Sequence, residues 1–379
     1  MVFPEKYQLI RKLARDFAET ELTSEILDEV EDSKVFPKDI LKKMAQAGFF
    51  GIKVPLKYGG QGSDHLAYVI TVEEIARVSA VGSLYVNSPN SLGGMSILVA
   101  GSEEQKMRYL KPMVEGDIVI PFGLTEPGGG SDAGDIRTTA VEDGDYYILN
   151  GRKTFITMAP FADYSIIYAK IGKGPGKEGV TAFIVDMKLP GVSVGKEEEK
   201  MGLIGCATSD VILEDVRVHK ENILGEIGSG FKDAMRCLDV GRLGVAAQAA
   251  GVAQACLDEA VKYARERKQF GKYLYEHQAI AFMIADMATK LKAAKELVYD
   301  AAITKDNGGN TTLASAMAKY YASEICNELA AKSLQIHGGY GFVRGFKIER
   351  LYRDSRVFTI YEGTSQIQQI VISRQLFGR

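Results

Sequence analysis

Residues 280–301 read IAFMIADMATKLKAAKELVYDA, and within them Ile280, Ile284, Met287, Leu291, Ala294, Val298 and Ala301 recur at alternating spacings of four and three. That period is the seam of a helix packed in a bundle, so the stripe is core or subunit interface and not a ligand-binding row. Segments 230–266, 311–334 and 364–376 carry three more helical patterns. A four-helix bundle over residues 228–379 is the architecture they predict.

Upstream, the rhythm changes. Between Ile118 and Val218 short runs rich in Val, Ile, Tyr, Phe and Thr alternate with Gly, Pro and Asp clusters, the pattern of strands and hairpins. The candidate strands are 118–124, 138–142, 146–157, 164–171, 180–186 and 210–218. No helix-length pattern interrupts them, which predicts an antiparallel, barrel-like β domain over residues 118–227 and disfavours a Rossmann fold. From Glu5 to Pro112 the pattern is helical again, giving an α-helical domain over residues 1–117. The fold class expected is therefore α+β in three parts.

Composition narrows the function. With 46% hydrophobic and 25% charged residues and a net charge of −3, the chain has the profile of a soluble globular protein without a global attraction to nucleic acid or an anionic membrane. Cys206, Cys237, Cys256 and Cys326 are far apart and form no Cys-x-x-Cys pair, so neither a metal site nor a disulfide framework is expected. No apolar run approaches the length of a membrane span, and none follows Met1. A cytoplasmic protein is the expectation.

Three loops, one helical segment and one turn carry possible chemistry. Thr125-Glu126-Pro127-Gly128-Gly129-Gly130-Ser131-Asp132 follows a strand and offers backbone N–H groups with little side-chain bulk; it suits either a plain turn or close contact with a phosphate or flat ring. Arg265 to Gly271 and Gln335 to Gly341 combine Arg, aromatic and Gly residues, a composition that fits a solvated loop and a helix cap as well as a diphosphate and a stacked base. Ser88, Asn90 and Ser91 place small polar groups in a helical context, leaving room for a ligand that is short, polar or aromatic rather than a long alkyl chain. In Tyr361-Glu362-Gly363-Thr364 a carboxylate stands between an aromatic and a glycine, a setting that serves a helix terminus or, by desolvating the acid, a general base.

Together these segments resemble the acyl-CoA dehydrogenase family, short-chain type, over essentially the whole chain. The resemblance rests on five motifs in family order: Thr125-Glu126-Pro127-Gly128 with Ser131-Asp132, Phe155-Ile156-Thr157, Arg267-Lys268-Gln269-Phe270-Gly271, Gln335 with Gly338-Gly339, and Tyr361-Glu362-Gly363-Thr364. It implies FAD as cofactor, with Phe122, Leu124, Thr125, Gly130, Ser131, Phe155 and Thr157 around the flavin and its phosphates. Phe155 stands where the family often has Trp, and the chain has no Trp. Arg267, Gln269, Phe270, Gln278, Gln335, Gly338 and Gly339 are implied to reach the FAD of a neighbouring subunit, with Thr364 and Gln366 completing the site. An oligomer follows, in the family most often a homotetramer built as a dimer of dimers.

The same resemblance implies interconversion of an acyl-CoA and its 2-enoyl-CoA, by α-proton abstraction with β-hydride transfer to the flavin. Electrons are then exchanged with electron-transferring flavoprotein. Glu362 is the implied base, and its backbone N–H, with an FAD ribityl hydroxyl, the oxyanion site. Some family members carry their base at the position of Gly241 instead, where glycine cannot serve. Asp239 and Arg242 match a segment that contacts CoA, and Ser131, Tyr361 and Gly363 are the remaining implied substrate contacts. An oxygen-using flavin oxidase or monooxygenase and a DNA-binding flavoprotein are the alternatives on this fold. The latter would need the basic row Lys347, Arg350, Arg353 and Arg356 to be free, whereas Glu349 and Asp354 among them predict a salt-bridged helix side.

Overall fold

Capping residues divide the N-terminal part into helices. The computed structural model describes residues 3–172, 174 and 176–378; residues 1–2, 173, 175 and 379, which include the outer ends of the first and last expected domains, lie outside it. Helices α1 (Glu5–Glu21), α2 (Ser24–Ser33) and α3 (Lys38–Gln46) precede α4 (His65–Val78), α5 (Ala80–Ser91), α6 (Gly93–Ala100) and α7 (Glu103–Val114). Asp64 caps α4 by accepting from the Ala67 N–H at 2.8 Å, and Ser102 with Gln105 forms a reciprocal box at the start of α7. Helix α4 is buried on all sides from Leu66 to Ala76 because it packs on α1 and α5 and on two bundle helices.

The middle region contains β1 (Phe122–Gly123), β2 (Thr139–Asp143), β3 (Tyr146–Thr157), β4 (Tyr164–Ile171), β5 (Val180–Asp186), β6 (Val192–Val194), β7 (Thr208–His219) and β8 (Ile223–Leu224). They form one sheet in the order β6-β7-β3-β2-β4-β5-β8, with β1 added beside β4. Most pairings are antiparallel as expected, but β1 and β2 each run parallel to β4. The cause is local: the β2–β3 hairpin turns β3 towards β7, so the chain re-enters on the other side of β2 in β2's own direction. Alternation sorts the two faces of β4 and β5. Ile167, Ala169, Phe183 and Val185 join Leu149, Val211 and Val216 inside the curled sheet. Ile166, Tyr168, Ala182 and Ile184 pack outward on Ile97 and Leu110 of the helices.

The chain then returns to helix in α8 (Gly230–Glu266), crosses a small hairpin of β9 (Lys268–Gln269) and β10 (Lys272–Tyr273), and continues through α9 (Gln278–Asp306), α10 (Thr311–His337), α11 (Lys347–Ser355) and α12 (Ser365–Phe377). Helices α8, α9 and α10 pack on one another and α12 lies against α10. Met287, Leu291, Ala294, Val298 and Ala301 of the opening stripe are buried, whereas Ile280 and Ile284 are half-buried at the edge of the same core. That core is continuous with the N-terminal helices, since α8 also packs on α4 and α5. No helix among the described residues is long and apolar enough to cross a membrane.

Candidate active site

The turn between α11 and α12 is held in a conformation that few residues adopt. Glu362 has φ +51° and Gly363 φ +94°, after which Thr364 caps α12 by accepting from the Ile367 N–H at 3.3 Å. Each backbone group of the turn that meets the interior is gripped. The Gln368 amide donates to the Glu362 and Gly363 carbonyls at 3.3 and 2.9 Å, and Lys319 of α10 donates to the Gly363 carbonyl at 2.7 Å. Beside it the Tyr361 hydroxyl donates to Gln248 at 2.9 Å, and Gln248 in turn joins Asn87 and Ser83 at 3.2 and 3.0 Å, with Tyr68 bonded to Asn87. Among the described residues nothing takes the Glu362 N–H.

The Glu362 side chain is directed against α8. Its Oε2 is sealed from solvent and has no hydrogen-bond partner. A Cβ placed on Gly241 would fall inside the van der Waals sphere of that oxygen and press on Leu92. Glycine at 241 is therefore what leaves room for the carboxylate. Burial pushes the Glu362 carboxyl up to about 7, although the Lys319 and Arg242 charges pull the other way. Glu362 as a whole is half-buried, so one carboxylate oxygen is withdrawn from water without a partner while the residue stays at the edge of the interior.

Arg242 is 5% exposed, bonded to Asp239 at 2.7 Å and turned towards Glu362, while Asp239 also accepts from Thr312 at 2.7 Å. This pair thus sits behind the carboxylate, and Arg242 is no surface hook. Asn90 and Ser91, read above as room for a ligand, direct their donors to backbone carbonyls of Phe49, Val86 and Asn87. The fully buried setting of α5 explains this: polar groups there must find partners inside the protein. Ser88 remains half-buried.

The remaining candidates form two groups. In the sheet, Thr125 and Phe155 flank the connected ends of β1 and β3, where the Thr154 N–H donates to the Thr125 carbonyl at 2.9 Å. Phe155 is 65% exposed with φ +56°, its ring held off the sheet, and Gly130 and Ser131 are exposed beyond it. Leu124 is buried, Phe122 packs its ring 5.0 Å from that of Tyr168, and Thr157 is half-buried opposite Thr208. At the far end of the bundle, Arg267, Gln269, Gly338 and Gly339 line a cavity of about 390 Å³ with Tyr263, His337 and Tyr340. Phe270 is 93% exposed, and Gln335, Gln278 and Gln366 are exposed outside the cavity wall. None of the sheet candidates lines that cavity.

This chemistry fits FAD: a bare aromatic ring beside open glycine backbone offers a bed for a flat ring system. An added Cβ on Gly338 or Gly339 would meet nothing within 4 Å, so a diphosphate can approach backbone and guanidinium together. Lys319, Gln368 and Gln248 took no part in the site read from sequence. The one available signal was Lys319 itself, a charge at helical spacing with buried Ser315, Ala316, Ala322, Ser323 and Cys326.

The basic row is consumed in pairing. Lys347 meets Glu259, Arg350 meets Asp28, Arg353 meets Glu31 and Glu349, and Arg356 bonds Thr359. It offers no free stripe to a nucleic acid.

Residues 4–117, 121–216 and 228–377 match the N-terminal, middle and C-terminal domain models of acyl-CoA dehydrogenase. The chain is 65% identical over 379 residues to the caffeyl-CoA reductase-Etf complex subunit CarC of Acetobacterium woodii, covering all of both chains. It is 58% identical over 376 residues to a 3-(aryl)acrylate reductase of Clostridium sporogenes, covering 99% of this chain and all of that one. The structure of butyryl-CoA dehydrogenase from Megasphaera elsdenii superposes with a TM-score of 0.96 at 40% identity, covering 100% of this chain and 99% of that one. The chain belongs to the acyl-CoA dehydrogenase family and is an oxidoreductase acting on a CH–CH bond.

Proposed function

We propose that this protein reduces the 2,3 double bond of an aryl-substituted 2-enoyl-CoA, with Glu362 as the group that exchanges the proton at the α carbon. The observation that carries the reading is the sealed, unpartnered Oε2 of Glu362 with its carboxyl near 7. At neutral pH such a group is present in both protonation states, so it can give a proton in reduction and take one in dehydrogenation. The aryl substrate and the reductive direction are supported by the two reductases at 65% and 58% identity, and electron-transferring flavoprotein as partner by the complex in which the first of them is a subunit.

FAD is the cofactor, and when bound it supplies the two-electron carrier for hydride exchange at the β carbon. Phe122, Leu124, Thr125, Gly130, Ser131, Phe155 and Thr157 would hold its flavin end, with Thr364 and Gln366 closing the site. Arg267, Gln269, Phe270, Gln278, Gln335, Gly338 and Gly339 would take the nucleotide end of a neighbouring copy's FAD in a homotetramer. The unengaged Glu362 N–H would donate to the thioester oxygen as negative charge develops there, and Ser131, Tyr361 and Gly363 would border the acyl group. Asp239 and Arg242 would act on the CoA side through the α8 segment they brace.

The test is a binding panel read by flavin absorbance, using cinnamoyl-, 4-hydroxycinnamoyl-, crotonyl- and octenoyl-CoA with the purified holoenzyme. The aryl thioesters are expected to bind at least 10-fold tighter than the alkyl ones. Tighter binding of crotonyl- or octenoyl-CoA would overturn the aryl assignment.

A further inference from the structure

Lys319 should not be where it is unless something holds it. Its side chain is 0% exposed on α10, on a face otherwise made of Ser, Ala and Cys. Burying an ammonium is costly without an opposite charge and full hydrogen bonding, yet its one bond is to the neutral Gly363 carbonyl at 2.7 Å. Among the described residues no carboxylate lies within ion-pairing distance of it. The other buried cation of the site, Arg242, is already matched by Asp239 at 2.7 Å. The acidic group that Lys319 faces is Glu362, one residue before the carbonyl it holds, while Glu324 on its own helix bonds Ser365 at 2.5 Å.

We infer that Lys319 is the positioning residue of Glu362, fixing the left-handed turn through the Gly363 carbonyl and serving as the buried counter-charge of the carboxylate. The two functions need the same place. Reaching the 363 carbonyl from α10 brings the ammonium up to the turn that carries the 362 side chain, and its charge offsets the desolvation of the ionised carboxylate. The groups facing Glu362 are Lys319 from α10, Arg242 from α8, and the phenols of Tyr68 from α4 and of the adjacent Tyr361. Of the two cations, Arg242 is ion-paired with Asp239, whereas Lys319 has no carboxylate in direct contact and feels Glu362 more strongly than Glu324. Burial lowers the Lys319 ammonium to about 8, with Glu362 as the leading influence that raises it, and Lys319 is likewise the leading influence lowering Glu362.

This inference rests on the reading of Glu362 as the proton-exchanging group, and its test separates the two. Lys319→Met removes charge and donor, whereas Lys319→Gln removes the charge and keeps a donor for the carbonyl, so the fold is retained where the methionine variant fails. The pH profile of flavin bleaching by an aryl-propionyl-CoA is expected to move to higher pH by about one unit or more in either variant. The infrared carboxyl band of Glu362, identified by its loss in Glu362→Gln, is expected to titrate with the same shift in holoenzyme without substrate. A profile and a band that stay at their wild-type pH while turnover falls would make Lys319 merely structural and overturn the inference. If Glu362→Gln itself turns over at the wild-type rate, the proposed function fails instead, whatever the band does.

Discussion

Two glutamates in two motif loops withdraw carboxylate oxygens from water, Glu126 as a buried residue and Glu362 as a half-buried one with a sealed Oε2, and they differ in how those oxygens are partnered. Glu126, in the loop after β1, receives the Arg137 N–H at 2.7 Å, the Thr138 N–H at 3.0 Å and hydroxyl at 2.6 Å, and the Lys153 ammonium at 2.7 Å. Burial alone would raise its pKa, but Lys153 and these donors hold it below the ordinary carboxylate range. The Oε2 of Glu362 receives nothing, and its carboxyl rises to about 7. What separates a strut from an acid–base group here is the count of donors on the oxygens, set against the desolvation that each carboxylate suffers. Lys153 and Lys319 repeat the contrast from the other side. Each is lowered to about 8 by burial, but Lys153 touches its glutamate directly and Lys319 holds only a neighbouring carbonyl.

The largest expected effect lies on the poised side of this contrast. Glu362→Gln keeps the size of the side chain but cannot exchange the α-proton, so turnover should fall by about 10²–10⁴-fold while FAD content stays at the wild-type level. Single-turnover bleaching of the flavin measures it, and bleaching at the wild-type rate would erase the distinction between the two glutamates. The next effect lies on the strut side. Lys153→Met leaves Glu126 buried without its cation, which should cost about 3–5 kcal/mol in denaturant unfolding. The double change Glu126→Leu with Lys153→Met should recover part of that loss. Were Lys153→Met neutral, the carboxylate would have to be satisfied by its neutral donors alone.

The sequence made one side of this contrast more legible than the other. Strands β3, β4 and β5 match the expected 146–157, 164–171 and 180–186 because alternating β-branched and aromatic residues bounded by Gly and Asp leave little choice of end. The expected strand 118–124 shrinks to Phe122–Gly123, since Val119 uses its carbonyl on the N–H groups of Asp163 and Tyr164, at the very start of β4. The three-residue β6 and two-residue β8 carry too few side chains to show a period. Glu362 was visible through its neighbours in the chain. Its partners were not, because Lys319, Arg242, Gly241 and Gln368 come from three helices, and nothing local tells that a lysine on α10 points inward. On α8, buried all round from Val240 to Ala253, Gln248 looks like one polar residue in an alanine run, and its role as the junction of Tyr361, Asn87 and Ser83 exists only after packing.

The smallest expected effect is the one that tests both glutamates together, through the pH dependence of stability. Glu362 has a folded pKa of about 7 against 4.5 for the free side chain, so between those values the folded state holds more protons than the unfolded one. Its contribution is fully present below pH 4.5 and is lost as pH rises to 7, by at most about 3 kcal/mol. Glu126, whose pKa is lowered, acts in the opposite sense: its contribution is present above the unfolded value and is lost as the pH falls through the folded one. Denaturant unfolding from pH 2 to 8 should therefore show a decline towards neutrality that is smaller in Glu362→Gln than in the wild type, with the acid-side loss unchanged. Glu126→Gln should diminish the acid-side loss and leave the neutral-side decline in place. If both variants alter the same side of the profile, donor count on the oxygens is not what distinguishes the two carboxylates.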